Sequence, residues 1–141
     1  MTIRGSILIS FLALLSVGVC LSQQTTIKKV PIQHSSPGSG EEMYVTYCAA
    51  CHGKDAKGDG PAASALKAPP PDLTTLTKRN HGVFPRDRVY QTINGQTLVP
   101  AHGSKDMPVW GKLFHSLDAH DSWTALRLKN LTDYVEGLQA K

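Results

Sequence analysis

Hydrophobic positions gather in a few groups along the chain, with polar or proline- and glycine-rich stretches between them. The first group is an apolar run from Ile7 to Leu21, preceded by Arg4 and ended by Ser22, Gln23 and Gln24. This is the pattern of a secretory signal, with cleavage expected after Ser22. At about 15 residues the run is shorter than the roughly 18–20 that a membrane-spanning helix needs. Cys20 offers a second route, lipidation, although Val19 stands where lipoprotein signals carry a small residue, so membrane attachment is not favoured.

Residues 23–38 are polar and contain Lys28-Lys29, Pro31, Ser35-Ser36 and Pro37-Gly38, a composition that predicts a tether; Val30-Pro31-Ile32 is the piece suited to docking. Ser39 and Glu42 form a capping box, so a helix is predicted from there to about Cys51. The stretch from Gly53 to Pro61 is too rich in glycine and charge for regular structure and reads as a solvated loop. Pro61 is placed to open a short helix through Leu66, and Pro69-Pro70-Pro71 enforces an extended crossing. Val89, Tyr90 and Ile93, with Pro85 before and Gly95 behind, predict a helix over Arg86–Asn94 with a glycine stop. Leu128, Leu131, Val135 and Leu138 recur at steps of three, four and three, which gives the last helix one apolar face, broadened by Trp123 and Tyr134. No strand-like alternation and no internal repeat is present. The chain therefore divides into a signal over 1–22, a tether over 23–38 and one domain over 39–141.

Composition sharpens this. A chain of 141 residues has room for a single domain. Its hydrophobic share is 40%, but the leader takes much of that, and nine prolines and twelve glycines thin the rest. Such a domain is short of core and needs a staple: a disulfide, a metal or a bound cofactor. The formal charge of +4 falls to +3 once Arg4 leaves with the signal, and no basic run alternates with aromatics, so nothing points to nucleic acid and no such partner is expected.

The candidate staple is Cys48-Ala49-Ala50-Cys51-His52, the Cys-x-x-Cys-His pattern of covalent c-type haem attachment. Two cysteines three apart at a helix end present both sulfurs to the vinyl groups of one porphyrin. The adjacent His52 is then the proximal iron ligand. Three other uses compete. A thioredoxin-type pair belongs after a strand in an α/β fold, and the chain shows no such alternation. A zinc site needs further paired ligands, and His81, His102, His115 and His120 form no second motif. A Cys48–Cys51 disulfide closes too small a ring to contribute much stability.

With this motif, Gly40 and Tyr44 ahead of it, and Leu131 and Tyr134 on the last helix, the chain resembles a class I cytochrome c over residues 39–141. The resemblance implies an all-α fold of three to five short helices around one covalently attached haem. It implies that Gly40 and Tyr44 meet Leu131 and Tyr134 where the first and last helices cross. It implies that the Pro61 carbonyl accepts the other ring proton of His52. It also implies that Met107, in Met107-Pro108, is the distal iron ligand, with His102 as the chief rival and His81 the next. Met107 as a core filler is the other reading of that residue.

The function implied is one-electron transfer in an exported, periplasmic respiratory or redox chain, by a carrier rather than an enzyme. Its partners are then redox proteins such as a dehydrogenase, an oxidase or another cytochrome. A haem peroxidase or gas-sensing domain with an open distal site is the alternative, with His102 as its acid–base group. A subunit or electron-entry module of a larger respiratory complex is a third.

Overall fold

The computed structural model describes residues 32–96 and 107–140, and the signal, most of the predicted tether and His102 lie outside them. Every regular element among the described residues is helical, with no strand. Helix α1 spans residues 40–52 as three joined pieces: an α-turn Gly40–Met43, a π-turn Tyr44–Cys48 and an α-turn Ala49–His52. Short 3₁₀ turns follow at Ala63–Ala65 and Leu73–Thr75. Then come α2 (Leu76–Arg79), α3 (Arg86–Asn94), α4 (Trp110–Asp118) and α5 (Asp121–Gly137). The all-α class and the range of three to five short helices both hold. No helix among the described residues is long and apolar enough to cross a membrane.

Helix α1 starts where the capping box predicts. Ser39 Oγ accepts from the Glu42 amide at 3.1 Å. The Glu42 carboxylate does not return to Ser39, whose N–H is already donated to the Ser36 carbonyl; it accepts instead from the Ser36 amide at 3.2 Å. Within the π-turn the Ala49 amide donates to the Tyr44 carbonyl, five residues back. Such a bulge admits one extra residue and recurs at functional sites.

α1 crosses α5 closely. A Cβ on Gly40 would lie 2.3 Å from the Asn130 carbonyl oxygen, so only glycine permits this approach. One turn on, the Tyr44 and Tyr134 rings sit 5.3 Å apart, and Leu131 is fully buried beside them. α5 buries Leu128, Leu131 and Val135 of the predicted stripe, and Arg127 and Thr132 with them, while Leu138, the fourth member, is half-buried just past the helix end. Trp123, expected to broaden that stripe, is 45% exposed.

α3 has the predicted bounds and ends on Gly95, which is left-handed at φ 78° and faces Val109, where a Cβ would meet Cγ1 at 2.4 Å. The helix predicted from Pro61 to Leu66 shrinks to the Ala63–Ala65 turn. α2 and α4 are additions to the predicted elements. α4 buries Trp110 and Phe114, which pack with Tyr47 of α1 into an aromatic cluster with centroid separations of 5.3–5.7 Å.

The segment read as a tether up to Gly38 is bound to the helices well before that residue. Ser35 is buried; its Oγ pairs with the Tyr47 hydroxyl at 2.9 Å and its carbonyl accepts from Arg127 Nη1 at 2.8 Å. Asn130 Nδ2 donates to the Pro37 carbonyl. Packed structure therefore begins upstream of the predicted start at Ser39.

Candidate functional site

A cavity with about 1160 Å³ of empty space, open solvent at its mouth included, lies between α1, α2, α3 and α5. Cys48 and His52 face it from α1, four residues apart and so on one side of the helix. Met107 lines the same cavity from the segment leading into α4. Leu73, Leu76, Val89, Ile93, Leu131 and Val135 make its walls apolar.

The end of α1 is held firmly. The Gly58, Gly60 and Ala62 amides donate to the His52, Cys51 and Ala50 carbonyls at 2.8, 3.1 and 2.8 Å, meeting acceptors that a helix end leaves unpaired. Leu73 donates to the Ala56 carbonyl at 2.7 Å and ties this loop to the wall carrying α2. The loop is thus a structural cap, although Lys54, Asp55, Lys57 and Asp59 are exposed, as a solvated stretch should be. The cap places Pro61 between two of its bonded residues.

His52 is buried, at 9% exposure. Cys51 is half-buried next to it and does not line the cavity. Both Cys48 and Cys51 are free thiols, so the disulfide alternative is not what the structure shows. Burial, and secondarily the neighbouring Cys51, pushes the Cys48 thiol up to about 12. A disulfide-exchanging cysteine needs the opposite shift, toward thiolate, which counts against the thioredoxin-type use. Among the described residues no three His, Cys, Asp or Glu side chains gather as a metal-binding set. Burial likewise raises the Tyr44 hydroxyl above its ordinary value; it donates to the Gly53 carbonyl at 2.8 Å and anchors the turn after His52.

Of the candidate distal ligands, Met107 is half-buried at the cavity, and His81 sits exposed on the turn after α2, outside the cavity lining. Met43 is fully buried in the core, also outside that lining. Polar side chains that the motif search did not single out occupy one edge: Arg79, Asn80, Arg88 and Thr92. Their signal was present in the sequence, since Arg88 and Thr92 run beside Val89 and Ile93 at the same four-residue step.

A haem is a largely apolar disc with two vinyl groups and two carboxylates on its rim. The cavity offers apolar walls, a buried imidazole beside a thiol that stays protonated, a thioether, and a cationic edge. The residues fit that group.

The helical shell and its cavity agree with a c-type cytochrome domain, an electron-transfer class whose haem c is covalently bound. The chain belongs to the family described as cytochrome c oxidase, cbb3-type, subunit III, which matches residues 35–127. The match begins at Ser35, which is buried against the helices. No curated protein and no solved structure matches the chain.

Proposed function

We propose that this chain is an exported mono-haem c-type cytochrome that passes single electrons in a periplasmic respiratory or redox chain. Cys48 and Cys51 would hold the haem by two thioether bonds, with His52 as its proximal and Met107 as its distal iron ligand. The observation that carries this reading is that His52 and Met107 line one apolar cavity, with Cys48 beside the histidine. When bound, the haem supplies an iron that alternates between the ferrous and ferric states.

The chain's own residues set the conditions for that alternation. The capped end of α1 fixes the backbone that carries His52, and the resemblance implies the Pro61 carbonyl as the acceptor for its other ring proton. A neutral Met107 thioether and apolar walls disfavour the extra positive charge of the ferric state, so both raise the reduction potential. With both His52 and Met107 as its ligands, the iron would keep no open position for small molecules, as a carrier requires. The family match gives a second reading its footing: the same domain as an electron-entry module of an oxidase complex. Co-purification with a membrane oxidase after mild solubilisation supports the module, and a freely soluble monomer supports the shuttle.

The test is the optical spectrum of protein matured in an exporting host, taken ferric, ferrous and ferrous with carbon monoxide. Wild type is expected to show a low-spin c-type haem indifferent to carbon monoxide, and Met107→Ala to bind it at once. Immediate binding by both would move the assignment to an open-site peroxidase or gas sensor.

A further inference from the structure

The segment ahead of α1 reaches the helix of the cysteines through one side chain, Tyr47. Ser35 Oγ donates to the Tyr47 hydroxyl at 2.9 Å, and that hydroxyl in turn donates to the Gln33 carbonyl. The segment is itself held from α5, where Arg127 Nη1 donates to the Ser35 carbonyl and Asn130 Nδ2 to the Pro37 carbonyl, both at 2.8 Å. Asp118, at the end of α4, accepts from the other side of the same guanidinium at 2.9 Å. A polar chain therefore runs from α4 through α5 and the upstream segment to one phenol on α1. Tyr47 and Ser35 are buried, where breaking such bonds leaves polar atoms unpaired, so the phenol ring keeps one position.

That position matters because of what the ring touches. Tyr47 immediately precedes Cys48 in the π-turn, yet it lies outside the cavity lining. Its ring sits 5.3 Å from that of Trp110 and 5.4 Å from that of Phe114. Trp110 opens α4 and follows Met107, which does line the cavity, by three residues. The stretch from Met107 to Trp110 is thus packed from two directions: Gly95 of the α3 end lies against Val109, and Tyr47 of α1 lies against Trp110.

Resting on the reading of Met107 as the distal ligand, we infer that Tyr47, clamped by Ser35 and Gln33, fixes Trp110 and through it keeps the Met107 thioether at the iron. The upstream segment then belongs to the distal half of the site, and Ser35, Tyr47 and Trp110 are positioning residues. Freeing the phenol lets the indole shift and raises the fraction of molecules whose thioether has left the iron. Carbon monoxide needs that coordination position, so its binding to the ferrous protein grows with this fraction.

The experiment uses haem-loaded wild type, Tyr47→Phe, Ser35→Ala and, as a control, Leu138→Ala. It reads the ferric thioether-to-iron absorption band and the rate of carbon monoxide binding to the ferrous form. Tyr47→Phe keeps the ring and removes both hydroxyl bonds. Ser35→Ala removes one of them and leaves its carbonyl for Arg127, so it carries the test if Tyr47→Phe does not mature. Leu138→Ala removes apolar packing outside both the cavity lining and this polar chain. Carbon monoxide binding is expected to rise roughly tenfold in Tyr47→Phe, the upper range for one hydrogen bond of ordinary net strength, and less in Ser35→Ala. The ferric band is expected to weaken in the same order. Leu138→Ala is expected to unfold at a lower denaturant concentration but to keep the wild-type rate and band. Wild-type rate and band in both Tyr47→Phe and Ser35→Ala, or an equal rise in Leu138→Ala, would overturn this inference alone. A wild type that lacks the band and binds carbon monoxide at once would overturn the assignment of Met107 instead.

Discussion

Arg127 shows how one residue can be central and yet invisible to a motif search. It is 2% exposed, bonded to Asp118 at 2.9 Å and to the Ser35 carbonyl at 2.8 Å, and lies 5.9 Å from the centre of the Phe114 ring. Removing one member of a buried pair leaves the other uncompensated, which costs about 3–5 kcal/mol when both are enclosed. Asp118 keeps 28% of its side chain in solvent, so Arg127→Met is expected to cost less, about 2–3 kcal/mol by denaturant unfolding. A loss below about 1 kcal/mol would show that the cluster contributes little. Ser35 is 92 positions away in sequence, and an arginine on an amphipathic helix ordinarily reads as a solvent-facing residue. By contrast Cys48, Cys51 and His52 were legible because their chemistry is written in local spacing, and Gly40 because the resemblance assigned it to a helix crossing.

At the scale of elements, Arg86 links α3 to α5 through Asp133 and Glu136, and Lys129 completes the group on Asp133. Hydrogen bonds from Lys129, and then from Arg86, hold the Asp133 carboxyl below its usual range. A depressed carboxyl contributes stability that is present above the unfolded value of about 3.9 and is lost as pH falls through the folded one. Arg86→Gln should move the Asp133 midpoint upward in an NMR titration, with a stability change at neutral pH under about 1 kcal/mol because the pair is largely exposed. An unmoved midpoint would mean that Lys129 alone sets it. Helices α3 and α5 were legible from periodicity, because their apolar positions recur without interruption. α4 was not: Trp110, Leu113, Phe114 and Leu117 do lie at helical spacing, but Pro108 and Gly111 at its start read as a turn. α2 is a single turn led in by Asp72, whose carboxylate accepts from the Thr74 amide and hydroxyl at 2.8 and 2.6 Å. The proline run before it masked that start.

For the whole molecule, the cavity takes the place that further leucines would fill in a domain with a self-sufficient core, and the composition foretold that shortage. Cys48→Ala/Cys51→Ala is expected to lose haem on denaturation and, without it, to keep far-UV helical signal while losing near-UV signal and unfolding non-cooperatively. Cooperative unfolding at the wild-type midpoint would show instead that the helices specify the fold unaided. The π-turn Tyr44–Cys48 adds a constraint of angular phase. One end of α1 must aim Gly40 and Tyr44 at α5, and the other must aim Cys48 and His52 into the cavity. In a regular α-helix each residue turns the face by about 100°, so the extra residue in the bulge is what brings both aims true on one rod. The length of this helix is therefore a fixed dial setting: a single deletion or insertion between Tyr44 and Cys48 would leave each end intact and point one of them the wrong way.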